Sequence, residues 1–375
     1  MIVTGAEAAP RELAAWLGPV LASEGGELVD ELSLDGFERP AGGQSSETTL
    51  FTASWTAGGS PRSRRLVLRR QTTGGIFLTS DVVREARVLQ GLEHGSRVPV
   101  PHVLGHEADP EVLGSPFFVM DRVEGRVPAA KPSIHAVGWL PTLSTVEREV
   151  MWRSAMEVLV AVHAVDWRTT HAFLIDGANG DAAEPTLAAH LDRLVRWYRW
   201  SARGRPYPIT DAAVHRVETE LASVDAGPPV LVWGDARPGN MIFGTDHRVA
   251  VAIDWELATV GPAGIDLGHW LFFDAFATTA CGVERLPGWP DRATTNARYE
   301  ELGGRPVADL DYFELLEELF IATTLIRQAD LRVERGLAPA DTRMGHDNAV
   351  TQMIARRLGM AVPELSPDYI AHRRG

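Results

Sequence analysis

The chain contains very little cysteine and very little lysine. Cys281 is the single cysteine among 375 residues, so no disulfide can form within the chain, and this composition is typical of a reducing compartment. Lys131 is the single lysine among 36 basic residues, and all the others are arginine. Arginine therefore supplies nearly all of the positive charge.

Net positive charge and long apolar runs are also missing. The 50 acidic residues outnumber the 36 basic ones and give a net charge of −14, which argues against nucleic acid or an anionic membrane as the main partner. No apolar run approaches the roughly 20 residues of a membrane-spanning helix, and the start lacks the basic and apolar regions of a secretion signal. We expect a cytoplasmic protein without a nucleic-acid or membrane partner, and the oligomeric state stays open.

The predicted secondary structure changes from mostly strands to mostly helices after Gly125, past a short link near 121–125, and we divide the chain into 1–122 and 123–375. Before that point, a helix is predicted over 10–23 and a second, begun by Ser80 or Asp81, over 78–95. Alternating β-branched and aromatic residues predict strands over 42–55 and 64–70, and within "VPVPHVLGHE" and "SPFFVMDRVEG". The first region, 1–122, is thus expected to be mostly β.

Long amphipathic helices dominate the second region, 123–375. They are predicted over 144–165, 185–202, 210–224, 309–335 and about 344–359. A small β island, 229–254, lies between the third and fourth of them. The order of elements predicts two lobes, and a cleft between lobes is where small ligands usually bind.

A short loop in this island carries the polar residues of most interest. In "VWGDARPGNMIF" (232–243), Asp235 and Asn240 are five residues apart in a turn shaped by glycine and proline. The next apolar run, "VAVAI", ends in Asp254. Because adjacent strands that end in acids or amides bring these side chains to one edge, we expect Asp235, Asn240 and Asp254 to lie together.

Two interpretations of this loop are open. In the first, Asp235 and Asn240 only hydrogen-bond the backbone of an Asx-type turn. In the second, Asn240 and Asp254 supply oxygen ligands to Mg²⁺, whose other positions are filled by phosphate and water. Asp235 would then accept the proton of a hydroxyl nucleophile, as in phosphoryl transfer. The acid at the end of the next strand favours the second interpretation.

"WGDARPGN" followed by "AIDWE" resembles the paired motifs of the aminoglycoside-phosphotransferase and choline-kinase-like superfamily, relatives of the protein kinases. "GPAGIDLGHW" continues the match, with Asp266 where the family has a buried aspartate that braces the catalytic loop. Trp233 departs from the pattern, because the family's first motif usually begins with histidine. Whatever bond this histidine makes to the backbone must be replaced or absent.

The resemblance implies a fold and a division of labour. The fold class is α+β, a protein-kinase-like fold of two lobes, with a small antiparallel β-sheet lobe and a larger, mainly helical lobe. Residues 1–122 would bind the nucleotide, and residues 123–375 would hold the catalytic groups and the acceptor. Asp235 would be catalytic, and Asn240 and Asp254 would hold the metal. Arg237 would either steady the γ-phosphate or face solvent, and we favour the first role.

The resemblance extends through the N-terminal region. "VLRR" and "SDVVREARVLQGL" are similar to the strand and helix that carry a basic residue and its glutamate, here Arg69 and Glu85. Alternation along the strand favours Arg69 over Arg70 for phosphate binding. The less favoured alternative is that these arginines and Glu85 are solvated surface charges. The other implied nucleotide contacts are Ser45 and Ser46, which could also form an ordinary turn, and the hinge backbone of Asp121 and Val123.

The stretch 285–320 is most similar to the kinase-like domains associated with acyl-CoA dehydrogenases. The resemblance implies transfer of phosphate from ATP or GTP, with Mg²⁺, to a hydroxyl of a small molecule. A metabolic alcohol such as a hydroxyacyl-CoA is favoured, and an aminoglycoside or other antibiotic is the alternative. The arginine- and aromatic-rich stretch 196–208 is either an acceptor-binding patch or a solvated helix end.

Three other kinds of site or function have less support in the sequence. A non-catalytic nucleotide-binding protein is the alternative from another class, although the intact acids and amide of the loop argue against it. A metal-dependent hydrolase would need more ligands than the loop supplies. The twelve histidines show no spacing typical of a zinc site.

Overall fold

The computed structural model of the protein describes residues 8–40, 46–72, 74–129, 131–175 and 184–374. The chain divides into two units. The first comprises the described residues up to His94 and Val100–Glu124, and the second comprises Gly95–Pro99 and the described residues from Gly125 onward. No helix in these described ranges is both long and apolar enough to cross a membrane.

A five-stranded antiparallel sheet is the main element of the first unit. In chain order the elements are α1 (Ala8–Gly25), β1 (Asp30–Glu38), β2 (Ser46–Ala57), β3 (Ser60–Gln71), α2 (Val82–Gly95), β4 (Val103–Glu107), α3 (Pro110–Leu113) and β5 (Phe117–Asp121). The strands of the sheet follow the order β1-β2-β3-β5-β4.

The core of the first unit lies between α1 and the sheet. Alternate residues of β2 and β3 point inward, as the period of two requires, and pack on one apolar face of α1. The buried residues of this core are Leu13, Leu17, Leu21, Phe51, Ala53, Leu66, Leu68, Leu113, Phe117 and Val119.

The second unit is mainly helical. Its elements are α4 (Thr145–His163), α5 (Trp167–Thr170), α6 (Leu187–Ala202), α7 (Pro208–Glu220), β6 (Pro229–Val232), β7 (Met241–Phe243), β8 (Val249–Ala252), β9 (Thr259–Pro262), α8 (Gly264–Ala275), α9 (Arg292–Glu301), α10 (Leu310–Glu334), α11 (Ala349–Arg357) and α12 (Pro367–Arg374). Helix α10 is the central one, packing against α6, α7, α8 and α11. A π-helical turn, Phe276–Ala280, follows α8.

The predicted β island is two separate ribbons. β6 pairs with β9, and β7 pairs with β8, both antiparallel. The prediction missed β9, so it also missed that β6 and β7 are not neighbours. The loop from Trp233 to Asn240 therefore passes from one ribbon to the other.

The predicted fold class, α+β with a kinase-like architecture, is confirmed, and most predicted elements are present with shifted ends. The predicted helix 78–95 begins at Val82 because the side chain of Asp81 accepts a hydrogen bond from Arg84 N. The predicted helix 344–359 is shorter, since the side chain of Asn348 caps α11. The sequence reading missed β1, which is mostly exposed, and α8, which has ten buried residues and no polar face to reveal its period.

Candidate active site

The loop that follows β6 is shaped by one glycine. Gly234 has a φ of +87°, and a Cβ built on it would lie 2.6 Å from the carbonyl oxygen of Leu257. A side chain would therefore be strained in its backbone and would clash with a neighbouring strand connection. This close approach fixes the path of the chain immediately before Asp235.

Asp266, on the first turn of α8, holds the same loop from beneath. Its carboxylate is fully buried and accepts hydrogen bonds from the backbone N–H groups of Trp233 and Gly234, both at 2.7 Å. His163 lies behind it, with Nε2 at 3.1 Å from the carboxylate and Nδ1 at 2.8 Å from the hydroxyl of Tyr299. Because every buried oxygen has a partner, the aspartate is a stable anchor for the loop. The structure thus gives Asp266 the bracing contacts that the resemblance implied.

Trp233, the residue that departs from the family pattern, bonds to the backbone. Its indole Nε1 donates a hydrogen bond to the carbonyl oxygen of Asp254 at 3.1 Å, and its ring stacks on Trp255 at 5.0 Å. The indole therefore ties the loop to the strand end that carries Asp254. A backbone-bracing bond is present here, made by an indole in place of an imidazole.

Asn240 and Asp254 lie at one end of the β7–β8 ribbon. Met241 pairs with Ala252, and the N–H of Ile253 donates to the carbonyl of Asn240 at 2.9 Å, so Asn240 and Ile253 lie one pair beyond the ladder and Asp254 is the next residue. Asp254 has a φ of +65°, a left-handed conformation that is uncommon for a residue with a side chain and that concentrates at functional sites.

The amide of Asn240 has a defined orientation. Its Nδ2 donates to the backbone carbonyl of Asp235 at 3.0 Å, which leaves Oδ1 as the group facing away from that bond. One amide oxygen and one carboxylate suit Mg²⁺, which takes few protein ligands when phosphate is present. In the described ranges no three His, Cys, Asp or Glu side chains gather as a metal site. The residues present fit a metal held jointly with a nucleotide.

Asp235 is surrounded by cationic side chains. Arg237 donates from Nε to Oδ1 at 2.7 Å and from Nη2 to Oδ2 at 3.3 Å, and His269 Nε2 lies 2.7 Å from Oδ1. The side chain of Asp235 keeps 19% of its surface exposed. Oδ1 has two close partners and Oδ2 has one long contact, so Oδ2 is the oxygen with capacity to accept another hydrogen bond.

His269 and Glu317 are functional candidates that the sequence analysis missed. His269, on α8, is fully buried, and its Nδ1 lies 2.8 Å from the carboxylate of Glu317, which is buried on α10. The three side chains form a line from Glu317 through His269 to Asp235. The sequence signal was weak, because a lone histidine in an apolar helix and a glutamate 48 residues further on have no spacing that relates them.

The charges in this line shift its pKa values. Burial would raise the pKa of Asp235, but the charge of Arg237 and the hydrogen bond from His269 outweigh it and hold that pKa well below its usual range. Burial opposes protonation of His269, yet the bonds to Asp235 and Glu317 raise its pKa to about 9. At neutral pH, His269 is therefore protonated and donates from Nε2 to Asp235 and from Nδ1 to Glu317. The carboxylate of Asp235 stays ionised.

In the first unit, the structure separates the two candidate arginines. Arg69 Nη2 donates to Glu85 Oε2 at 2.9 Å, and both side chains are largely buried. Arg70, on the opposite face of β3, donates from Nε to Glu47 at 3.0 Å and from Nη1 to the carbonyl of Leu113 at 3.2 Å. The structure thus brings together Arg69 and Glu85, the pair that alternation favoured.

The other nucleotide candidates lie at strand ends of the same unit. Ser46 is buried at the start of β2, whereas Ser45 lies outside the described residues. At the end of β5, the N–H of Asp121 donates to His102, and its side chain pairs with Arg64. Within the described part of the chain, no residue hydrogen-bonds to the backbone of Val123. Their roles in nucleotide binding stay predictions.

The basic stretch 196–208 is neutralised locally. Three of its four aromatic residues, Trp197, Tyr198 and Tyr207, are buried, and the fourth, Trp200, is exposed, with the guanidinium of Arg327 5.2 Å from its ring centre. All four of its arginines are paired with carboxylates: Arg196 with Asp192, Arg199 with Glu218, Arg203 with Asp330 and Glu334, and Arg205 with Asp330. The alternative of a solvated helix end with core aromatics accounts for this stretch without a ligand.

These features together define a kinase-like phosphotransferase fold. The model of the phosphotransferase enzyme family (APH) matches residues 36–319, which is more than half of the chain. The chain belongs to the phosphotransferase enzyme family. The predicted enzyme class, a phosphotransferase, is confirmed, and so is the superfamily resemblance.

A curated relative agrees with the predicted branch. The chain is 29% identical over 236 residues to the probable acyl-CoA dehydrogenase IBR3 of Arabidopsis thaliana, an alignment that covers 60% of this chain and 26% of the relative. The chain thus spans about a quarter of the length of that relative. The similarity is to that matched part of the relative.

Solved structures share the fold over nearly the full chain. A protein from Ralstonia eutropha JMP134, provisionally named an aminoglycoside phosphotransferase, has a TM-score of 0.68 at 25% identity, covering 93% of this chain and 98% of its own. A thermostable mutant of the aminoglycoside phosphotransferase APH(4)-Ia, in a ternary complex with AMP-PNP and hygromycin B, has a TM-score of 0.53 at 16% identity. That alignment covers 92% of this chain and 99% of the other.

Proposed function

We propose that this protein transfers the γ-phosphoryl group of ATP or GTP to a hydroxyl of a small metabolic alcohol, a hydroxyacyl-CoA being the favoured class. The observation that carries the proposal is the set of hydrogen bonds made by the two carboxylate oxygens of Asp235. One of its oxygens is held by Arg237 and His269, and the other has room for a hydroxyl. The amide oxygen of Asn240 and the carboxylate of Asp254 lie nearby, at the end of the β7–β8 ribbon.

The bond changes are those of an in-line displacement. The acceptor oxygen forms a bond to the γ-phosphorus, the bond from that phosphorus to the β–γ bridging oxygen breaks, and the nucleoside diphosphate leaves with the electron pair. Because the depressed pKa makes Asp235 a weak base, we assign it first to orienting the hydroxyl. It takes the proton only as bond formation acidifies the hydroxyl.

The remaining roles follow from the residues present. Asn240 and Asp254 would hold Mg²⁺, and this metal, when bound, neutralises charge on the phosphates. Arg69, oriented by Glu85, would bind the phosphates, with Ser45, Ser46 and the backbone of Asp121 and Val123 as further nucleotide contacts. Arg237 positions Asp235 and is not assigned to the γ-phosphate, because its Nε and Nη2 already donate to that carboxylate.

Two observations support the choice of acceptor and donor. The curated relative is named an acyl-CoA dehydrogenase, which favours an acyl-CoA. The structural neighbour APH(4)-Ia is described with AMP-PNP, which favours a nucleoside triphosphate donor, and with hygromycin B, which keeps an aminoglycoside acceptor as the second candidate. A cytoplasmic location, favoured by the single cysteine, is part of the proposal.

A transfer screen tests the function. Purified protein would be incubated with Mg²⁺ and γ-labelled ATP or GTP against short hydroxyacyl-CoAs, aminoglycosides and macrolides, with the Asp235→Asn variant as the matched control. We expect label in a hydroxyacyl-CoA with the native protein and not with the variant. Nucleotide binding without transfer to any acceptor would favour the non-catalytic alternative.

A further inference from the structure

Four basic side chains come together near the C-terminal helix of the second unit. We call Lys131, Arg332, His372 and Arg373 the C-terminal cation cluster. Arg332 Nη1 lies 3.5 Å from His372 Nδ1, and Arg373 donates to the carbonyl of Pro132, the residue after Lys131. Residues from three separate parts of the sequence thus meet at one place.

This cluster has no carboxylate partner among the described residues. The charges that act on Lys131 and His372 all come from Lys131, Arg332 and Arg373 and none from an acid, although the chain as a whole is strongly acidic. The arginines of 196–208 show the opposite arrangement, since each has its own acid. Crowding of like charges without compensation is unfavourable in the protein alone and points to an anion that is supplied from outside.

Two further observations are consistent with an anion-binding role for the cluster. Nη2 of Arg332 donates to the carbonyl of Leu337 at 3.1 Å, whereas its Nε is buried and has no hydrogen-bond partner among the described residues, so the guanidinium is only partly satisfied. Burial together with the charges of Arg373 and Arg332 lowers the pKa of Lys131, and burial with the charges of Lys131, Arg332 and Arg373 lowers the pKa of His372 to about 4. His372 is therefore neutral at pH 7, and the positive charge of the cluster comes from Lys131, Arg332 and Arg373. A bound anion would relieve both effects.

Aromatic rings connect the cluster to the candidate base. The guanidinium of Arg373 lies 4.8 Å from the ring centre of Phe276, which is 6.4 Å from the ring of Phe273. The guanidinium of Arg237, which holds Asp235, lies 5.1 Å from the other end of this path, the ring of Phe273. Both rings are partly exposed. They form an apolar surface with the base at one end and the cations at the other.

We propose that the C-terminal cation cluster binds a phosphate group carried by the acceptor, so that the substrates of this enzyme are anionic alcohols. The inference rests on the proposed function for the role of Asp235. An extended acceptor would place its hydroxyl at Asp235, its apolar part along Phe273 and Phe276, and its phosphate at Arg332 and Arg373. Planar guanidinium groups bind phosphate through paired N–H donors, so they suit this role. A polycationic aminoglycoside would be repelled from the same surface.

Binding of coenzyme A tests the inference without any phosphoryl transfer. Calorimetry would be done with Mg²⁺ and saturating AMP-PNP, so that the nucleotide site is occupied. We expect coenzyme A to bind, and the Arg332→Gln/Arg373→Gln variant to bind it at least about 10-fold more weakly, because charge-assisted hydrogen bonds are lost. Pantetheine, which lacks the phosphates, should bind weakly and equally to both proteins.

Two control variants separate the effect of the cluster from a general loss of charge and from misfolding. Arg153→Gln/Arg216→Gln removes the same charge from exposed helix pairs and should change the affinity less than about twofold. Arg332→Lys/Arg373→Lys retains the charge and should recover most of the binding, so a loss in the glutamine variant alone cannot be attributed to misfolding.

A second anion distinguishes the sources of the phosphate. If inorganic pyrophosphate binds in a cluster-dependent way and coenzyme A does not, the site stands and the acceptor is a smaller phosphorylated alcohol. If neither anion binds, or if the two glutamine variants lose equal affinity, the inference is wrong. Intact coenzyme A binding with no phosphoryl transfer would instead contradict the proposed function and leave the cluster as an anion site.

Discussion

Asp235 lies within the loop from Trp233 to Asn240, and the Asn240–Asp254 pair lies where this loop meets the β7–β8 ribbon. Different interactions fix the two parts. The carboxylate of Asp235 is held by charged side chains, with Arg237 and His269 both at 2.7 Å from Oδ1. Asn240 and Asp254 are held through the backbone, by the β7–β8 ladder and by the indole of Trp233. One side of the loop is therefore sensitive to charge and pH, and the other to chain geometry.

The difference suggests two separate requirements. A residue that orients a hydroxyl must keep one oxygen in place while the other stays open, which directional bonds from cations achieve. Residues that hold a metal must keep a fixed spacing, which a backbone ladder achieves. The predictions below ask whether the two sides behave independently.

The largest effect is expected for Asp235→Asn. The Asn oxygen can still accept from Arg237 and His269, but the amide places a donor where the acceptor hydroxyl needs an acceptor. We expect kcat to fall by about 10²–10⁴-fold or more, with little change in Mg·ATP affinity. The measurements are a transfer assay on any accepted hydroxyl and calorimetry of the nucleotide on the same variant. If the variant loses ATP and metal binding to the same extent as activity, Asp235 is a metal ligand, and its separation from the Asn240–Asp254 pair is wrong.

The second prediction addresses the backbone-held side. Asp254→Ala should abolish the gain in nucleotide affinity that Mg²⁺ provides, roughly a 100-fold effect for a site with two protein ligands. Calorimetry of ATP with and without Mg²⁺ measures this gain. Asp192→Ala, an exposed acid on α6, is the control and should keep the metal dependence. An unchanged metal effect in Asp254→Ala would exclude Asp254 from the site.

The two sides also differ in how far the sequence could predict them. Asn240 and Asp254 end adjacent strands of a short hairpin, so the local pattern was enough to place them together. His269 contacts Asp235 across 34 residues and Glu317 across 48 residues, the latter through the packing of α8 against α10. A helix that is buried all round gives no periodic signal, and nothing local relates its histidine to an acid on another helix.

The same reasoning explains the N-terminal unit and the acceptor surface. Arg69 and Glu85 were predicted because a strand and the following helix are close in the sequence, and alternation chose the arginine. The basic stretch 196–208 was conspicuous in the sequence, but its acids come from other helices and could not be seen there. The C-terminal cation cluster was invisible for the opposite reason, since its members are scattered from residue 131 to residue 373.

The third prediction extends the comparison to a charge pair that the sequence did reveal. Arg69→Ala should weaken nucleotide affinity by about 10-fold, because a charge-assisted contact to phosphate is lost, and Arg69→Lys should retain much of the affinity. Arg70→Ala is the matched control, since Arg70 pairs with Glu47 on the other face of the strand. If Arg70→Ala is the damaging change, the arginine that binds phosphate has been assigned to the wrong face.

The smallest effect is expected at the charge-held side, for His269→Gln. Gln can donate one hydrogen bond toward Asp235 but carries no charge, so we expect kcat to fall by about 5- to 10-fold with an unchanged KM for ATP. His215→Gln, an exposed histidine on α7, is the control.

The pH profile separates a positioning role of His269 from a merely structural one. Its pKa is raised to about 9 in the folded protein, so its stabilising contribution is complete below the ordinary histidine pKa of about 6.5 and is lost as the pH rises through about 9. Above that pH the neutral ring has a single N–H and cannot donate to both Asp235 and Glu317. The native kcat should therefore decline as the pH rises through about 9, and the variant should lack this decline. Urea unfolding at pH 7 and pH 9.5 should show the same His269-dependent loss of stability. A native profile that stays flat above pH 9, or a decline that persists in His269→Gln, would mean that Asp235 is held by Arg237 alone.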